Sequence, residues 1–144
     1  MEPSTLMTTF YVSQSQIPPA DADSAVHDIV AKSISRNRVS QITGALMFTG
    51  EHFVQVLEGK AAEVDTVMAS ILADPRHDHI VVMAREKISE RLFSDWDLAY
   101  SGPSRFVIRN LARLRRASSV ADRRQETRWL RDLLLEFVRH NGSE

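Results

Sequence analysis

Two polar side chains sit where strand patterns call for apolar ones. Gln55 lies in the middle of FVQVLEG (53–59), with Val54 and Val56 directed to the opposite face. If helices cover its face, the carboxamide must be hydrogen-bonded or touch a ligand, because burying it unpaired costs about 1–3 kcal/mol. If that face is outward, Gln55 is only a solvated position. Tyr11 lies in LMTTFYVS (6–13). Alone it reads as a core aromatic, but beside a carboxamide a phenol can exchange hydrogen bonds, and a Gln amide presents donor or acceptor by turning over. The two together are a candidate switch. Asn37, in SRNRVSQITG, closes the first expected helix. Asn there commonly serves as a left-handed cap, yet it also brings an amide to the same end of the sheet.

Other chemistries find no support. The chain has no Gly-rich phosphate loop, no HExxH, no Gly-x-Ser-x-Gly and no serine beside an obvious base, so no enzyme is expected. His77 and His79 lie two apart near Asp74 and Asp78, a spacing that matches no standard helical pair, and no metal site is expected. The absence of cysteine excludes disulfides, thiol catalysis and Cys-ligated metals.

The elements that must position these residues follow from periodicity. Residues 6–13 form a strand, with Met7, Thr9, Tyr11 and Ser13 on one face. Pro18-Pro19 breaks the chain, and Asp21 or Asp23 can cap a helix over 22–37 that aligns Val26, Ile29, Val30 and Ile34. Strands at 42–48 and 52–58 form a hairpin around Thr49-Gly50-Glu51. A second helix, 61–73, gathers Val64, Val67, Met68, Ile71 and Leu72 and ends before Pro75. Strands at 79–85 and 95–100 complete βαββαββ. Right-handed crossovers put both helices on one face, giving an α+β, ferredoxin-like sandwich with a five-stranded mixed sheet and strands one and three adjacent in its centre.

The net charge of −1 conceals a division. Residues 1–102 carry a net −6, and residues 103–144 carry +5 with ten arginines and no lysine. Gly102-Pro103-Ser104 marks the boundary between an acidic body, 1–102, and an Arg-rich helical extension, 103–144. The extension's helices are expected to cover the sheet face the first two helices leave bare. Arg105, Arg109, Arg113 and Arg116 form a basic stripe. A solvated helix face, or docking on the acidic body within the chain or across a dimer, is favoured over nucleic acid as its meaning. The apolar stripe of Leu130, Leu133, Leu134, Phe137 and Val138 favours a homodimer. No run approaches the roughly 20 apolar residues of a membrane span, and MEPSTLMTTF has no secretory character, so a cytoplasmic location is expected.

FYVSQS, SRNRVSQITGALMFTGEHFVQVLEG, DPRH and FSDWDLAY, in that order and spacing, resemble a BLUF domain, the flavin-based blue-light sensor, of the short single-domain type. The similarity runs from about Leu6 to Tyr100. It implies roles position by position. Tyr11 matches the tyrosine that gives an electron and a proton to the light-excited flavin. Gln55 matches the glutamine between that phenol and the flavin N5/C4=O edge. Asn37 matches the asparagine on the C4=O/N3–H edge, with Arg36 its neighbour toward the ring. Asp74, Arg76 and His77 match the family's Asp-x-Arg-His near the C2=O side and the ribityl chain. Trp96 matches the tryptophan found either near the flavin or outside. Leu98 departs from the pattern, replacing a usual methionine, and so bears on signal strength and dark recovery.

The resemblance implies non-covalent flavin, FAD with FMN or riboflavin possible, and a signal made by rotation or tautomerisation of the Gln55 amide. Ile29, Val30, Val67 and Ile71 could flank the dimethylbenzene end. With no output domain in view, the signal is expected to pass to a partner protein of unknown identity. Two rivals remain: a flavin-free ferredoxin-like interaction module, and an acylphosphatase-type enzyme, which shares the topology but would need an Arg-bearing anion loop where QSQIPPADAD is acidic.

Overall fold

Ten residues rich in β-branched and aromatic side chains, Leu6–Ser15, form strand β1, and the chain then turns through a short 3-10 segment at Pro19–Asp21. Helix α1 (Ala22–Ser40), strands β2 (Thr43–Phe48) and β3 (His52–Lys60), helix α2 (Ala61–Leu72), strand β4 (His77–Ile88) and a short strand β5 (Ala99–Ser101) follow. The computed structural model describes residues 5–94 and 97–101, together with the single helical positions Gln125, Arg128 and Asp132. The helices expected over 103–144 otherwise lie outside the described residues.

The sheet order is β4-β1-β3-β2-β5. The first four strands pair antiparallel, and β5 adds parallel to β2. The α+β, ferredoxin-like architecture is therefore present, with β1 and β3 as central neighbours. Both helices pack on the face that carries the odd-numbered residues of β1. Under α2, Val64, Val67 and Met68 meet Tyr11, Ile42 and Leu57. Under α1, Val26 meets Leu46, Phe48, Phe53 and Leu98, with Ile29, Val30 and Ile34 at the margin. On the opposite face Phe10, Val12, Ala45, Met47, Val54 and Val56 are buried as well.

Several boundaries differ from the sequence pattern for identifiable reasons. Helix α1 runs three residues beyond 37, because the left-handed residue that ends it is Gln41 (φ 56°), not Asn37. The Ile42 N–H reaches the Asn37 carbonyl at 2.8 Å and the Gln41 N–H reaches that of Arg38, so the last carbonyls are satisfied without a glycine. Asp21 occupies the N-cap position of α1 but makes no side-chain capping bond. Leu72 points to solvent at 56% exposure, so α2 buries a narrower stripe than the apolar count suggests. Strand β4 is longer than 79–85, since its ends are held by pairing with β1 rather than by apolar alternation. Register shifts opposite Phe10/Tyr11 and Val12/Gln14, with His79 at φ 49°, mark its bulges. Among the described residues the last strand is Ala99–Ser101, which overlaps the end of the expected 95–100 and runs one residue past it.

Gly44 shows how closely β2 and β3 approach: a Cβ there would lie 2.0 Å from the Val56 carbonyl oxygen. Gly44→Ala should therefore force the hairpin apart and lower the urea midpoint. Gln41→Gly should raise it, because relieving a left-handed L-residue returns about 1 kcal/mol, less the added unfolded-state entropy of glycine. Equilibrium urea unfolding of both variants checks the opposite signs.

Candidate functional site

The antiparallel register sets Tyr11 directly opposite Gln55, and strand alternation turns both toward the helices. Each is nearly inaccessible, 3% and 4% exposed. The Tyr11 hydroxyl donates to Gln55 Oε1 at 2.5 Å. Burial holds the phenol well above its ordinary pKa; the Arg36 charge offsets this in part and Asp74 adds to it. Tyr11 is thus a protonated donor at neutral pH. With Gln55 Oε1 taken, its amide Nε2 has no partner among the described residues.

Gln55 and Tyr11 form the floor of a cleft between α1 and α2 with about 700 Å³ of empty space, its open mouth included. Ile29, Leu46, Phe53 and Ile71 supply apolar wall; Ser33, Arg36, Ser70, Asp74, Arg76 and His77 supply polar groups. Eight of the residues singled out by sequence therefore line one cavity: Tyr11, Ile29, Arg36, Gln55, Ile71, Asp74, Arg76 and His77.

At the mouth, Asp74 accepts the Arg76 backbone N–H at 2.9 Å and its guanidinium at 2.6–3.0 Å. These bonds to Arg76 hold the Asp74 carboxyl below the usual carboxylate value. Arg76 also lies 3.8 Å from Asp28 on α1, so the turn after α2 is tied across the cleft. His77 is oriented from both sides. Its Nε2 lies 2.7 Å from the Ile71 carbonyl, which can only accept, so Nε2 carries hydrogen. Nδ1 lies 2.7 Å from Ser13 Oγ and accepts from that hydroxyl in the neutral ring. The ring stands edge-on to Tyr11 and Phe53, with centroids 6.0 and 6.1 Å away.

Asn37 is fully buried beside the cleft and is not part of its wall. Its Oδ1 accepts from Arg36 Nε and Nη2 at 3.3 and 3.1 Å, and its Nδ2 donates to the Asp97 carbonyl at 2.8 Å. Arg36 presents the cation to the cleft here; burial lowers its pKa. Leu98 is buried in the apolar cluster with Leu46 and Phe53. Trp96 lies outside the described residues. Val67 is core beneath α2, and Val30 faces a separate groove beside Phe48, so of the four expected aliphatic neighbours only Ile29 and Ile71 reach the cleft.

Sequence reasoning missed Ser13, Ser33, Leu46, Phe53 and Ser70. Alternation from Gln55 marks Phe53, and the hairpin register marks Leu46. Ser33 lies one turn before Asn37 on the same helix face. Ser70 carries no comparable signal. Among the described residues no group of three or more potential ligands could hold a metal.

The depressed Asp74 carboxyl has a definite linkage sign. Its contribution to stability is full above the ordinary carboxylate value and is lost as pH falls through the lower, folded value. Asp74→Asn should therefore be less stable than wild type at neutral pH, with the gap shrinking below about pH 4. Urea unfolding across that range checks it; an undiminished gap in acid contradicts the assignment.

The family of blue-light sensors using FAD, BLUF, matches residues 6–99. The photoactivated adenylate cyclase subunit beta of Euglena gracilis is 31% identical over 97 residues, 67% of this chain and 11% of that protein. The blue light- and temperature-regulated antirepressor BluF of Escherichia coli K12 is 33% identical over 87 residues, 60% of this chain and 22% of that protein. The chain thus spans a minor part of the curated relatives it matches. The dark-state structure of BlrB, a BLUF protein, superposes with a TM-score of 0.73 at 32% identity, covering 91% of this chain and 98% of that one. The photo-activated state of BlsA, at 21% identity and TM-score 0.77, covers 90% and 94% and shares the fold. With the match spanning the sheet, both helices and the Tyr11–Gln55 floor of the cleft, this chain belongs to the BLUF family.

Proposed function

We propose that this chain is a blue-light photoreceptor that binds flavin non-covalently in the α1–α2 cleft and signals through the Tyr11–Gln55 hydrogen bond. One observation carries the reading: a buried carboxamide with its oxygen taken by a phenol and its amide nitrogen left to the cleft. Such a group needs an acceptor from a ligand. A flavin ring, with apolar faces and an acceptor-bearing edge, suits the mixture of Ile29, Leu46, Phe53 and Ile71 with Gln55 Nε2, Arg36 and the Ser33 and Ser70 hydroxyls.

When bound, flavin supplies blue-light absorption and the oxidising power of its excited state. Tyr11 supplies an electron and, by way of Gln55, a proton, and recovers both, so no net oxidation remains. Gln55 ends rotated or tautomerised, with its donor and acceptor pattern changed. Arg36, steadied by the Asn37 amide oxygen, would face the neighbouring edge of the ring. Asp74, Arg76 and His77 close the mouth toward the ribityl chain.

The cations around that mouth are already matched: Arg76 by Asp74 and Asp28, and Lys32 by Asp28 at 3.2 Å. Beyond Arg36, whose partner Asn37 is neutral, a phosphate on the ligand would find little uncompensated positive charge among the described residues. Riboflavin, FMN and FAD should therefore bind within about tenfold of one another, a difference near 1.4 kcal/mol. Fluorescence-quenching titrations of the three measure it.

The output lies with a partner protein, since the relatives' names couple light to effectors as different as a cyclase and an antirepressor. We read residues 103–144 as a separate Arg-rich extension that covers the sheet face opposite the helices, where Phe10, Val12 and Val54 are buried although neither α1 nor α2 lies there. A dimer built on its apolar stripe is part of this reading. Among the described residues no helix is long and apolar enough to cross a membrane.

Absorption spectroscopy of the purified protein is the direct test. Flavin-loaded wild type should shift reversibly to the red under blue light. Gln55→Leu and Tyr11→Phe should bind flavin and lose that shift. A colourless protein that refuses all three flavins, or a Gln55→Leu protein that keeps the shift, overturns the reading.

A further inference from the structure

Glu58 follows Gln55 by three residues on β3 and faces the other side of the sheet. The residue is only 1% exposed. Oε1 accepts the Phe93 backbone N–H at 2.9 Å and the Thr43 hydroxyl at 3.2 Å; Oε2 accepts the Leu92 N–H at 2.8 Å. Two consecutive backbone N–H groups converging on one anion form a nest, which fixes the chain that carries it. Arg91, the preceding residue, donates to the Glu58 carbonyl, the Thr43 hydroxyl and the Gln41 carbonyl at 2.8–3.2 Å. The start of the connection from β4 to β5 is thereby tied to β3, β2 and the end of α1 together. Phe93, seated at this point, is fully buried.

The end of the same connection touches the cleft. Its Asp97 carbonyl accepts from Asn37, its Asp97 carboxylate pairs with Arg38 at 3.0 Å, and Leu98 packs with Leu46 and Phe53 of the cleft wall. We propose that Glu58 is a positioning residue for the Gln55 switch: by anchoring residues 91–93 it sets where Asp97 and Leu98 sit against the cleft. The inference rests on the light-sensing reading above. Apolar packing alone would let the connection slide along the sheet. Hydrogen bonds from two successive amides allow one register, and a buried carboxylate with three donors supplies them. A rearranged Gln55 then meets a fixed β5 segment, and the stress passes into Leu98 and its neighbours.

The test uses the flavin-loaded full chain and compares wild type, Glu58→Gln, Arg91→Met and a control, Met7→Ala, which removes buried volume from β1 outside the cleft lining. Glu58→Gln keeps the size of the side chain but sets an NH2 against an N–H donor. It and Arg91→Met should keep the light-induced red shift and change its dark-recovery rate by about threefold or more, the scale expected of positions that modulate coupling. Met7→Ala should lower the melting temperature and leave recovery unchanged. If Glu58→Gln fails to load flavin, Thr43→Val, which removes one donor and leaves the carboxylate in place, carries the comparison with Arg91→Met. Recovery at the wild-type rate in the loaded variants, or an equal change in Met7→Ala, overturns the role of Glu58 alone. A wild-type protein without a reversible shift overturns the light-sensing reading beneath it.

Discussion

The hydrogen bond from Tyr11 to Gln55 places demands on the whole sheet. A phenol and a carboxamide buried in a central strand pair are tolerable only if they meet each other, and they meet only in one register. A slip of one residue between β1 and β3 would set Tyr11 opposite Val54 or Val56 and leave Gln55 on the other face of the sheet from it. The alternation of large apolar residues on one face with Tyr11, Ser13 and Gln55 on the other makes that slip costly. The bulges in β4 serve the same arrangement. By absorbing extra residues they keep His77 on the cleft side, within reach of Ser13, while the rest of β4 stays paired to β1.

Charge is distributed to leave that pair isolated. Asp74 and Arg76 neutralise each other at the mouth, and Asp28 adds a second acidic contact for Arg76 from α1. Arg36 is the cation nearest in effect to the phenol, and its guanidinium is occupied by the Asn37 oxygen, a neutral partner. The cleft therefore combines a raised phenol pKa with an amide that has one committed end. Such a pair can exchange protons and hydrogen-bond direction without releasing a net charge into a buried site, which low dielectric would penalise.

Much of this was legible in the residues. The interruption of FVQVLEG by Gln55, set against Val54 and Val56, pointed to a covered polar face, and the βαββαββ order placed Tyr11 beside it. What the pattern concealed depended on backbone geometry or on single long-range contacts. Gln41 is a polar residue with no glycine-like mark, so the true end of α1 was hidden. Strand β4 is an edge strand whose exposed, charged ends gain their strand character only from pairing with β1. Glu58 reads as an ordinary charge next to a glycine; its burial follows from a connection whose Leu92, 34 residues later, folds back onto it. Asn37 lies beside the cleft rather than in its wall, its amide engaged by Arg36 and a backbone carbonyl, which no spacing rule encodes.

Leu98 narrows how a change at Gln55 can leave the cleft. A methionine thioether there could accept a weak hydrogen bond; the leucine side chain can neither donate nor accept. It is buried against Leu46 and Phe53, two residues that also wall the cleft. A hydrogen-bonded relay from Gln55 through side chain 98 is therefore excluded in this chain. Two routes remain among the described residues: steric pressure through the Leu46–Phe53–Leu98 cluster, and the polar link from Asn37 to the Asp97 carbonyl. Both end on adjacent residues of one connection, just before β5. Packed apolar groups transmit displacement only when they have something rigid to push against. In the role proposed for Glu58, the anchors at Leu92 and Phe93 and the tie at Asp97 would give that apolar cluster something to push against.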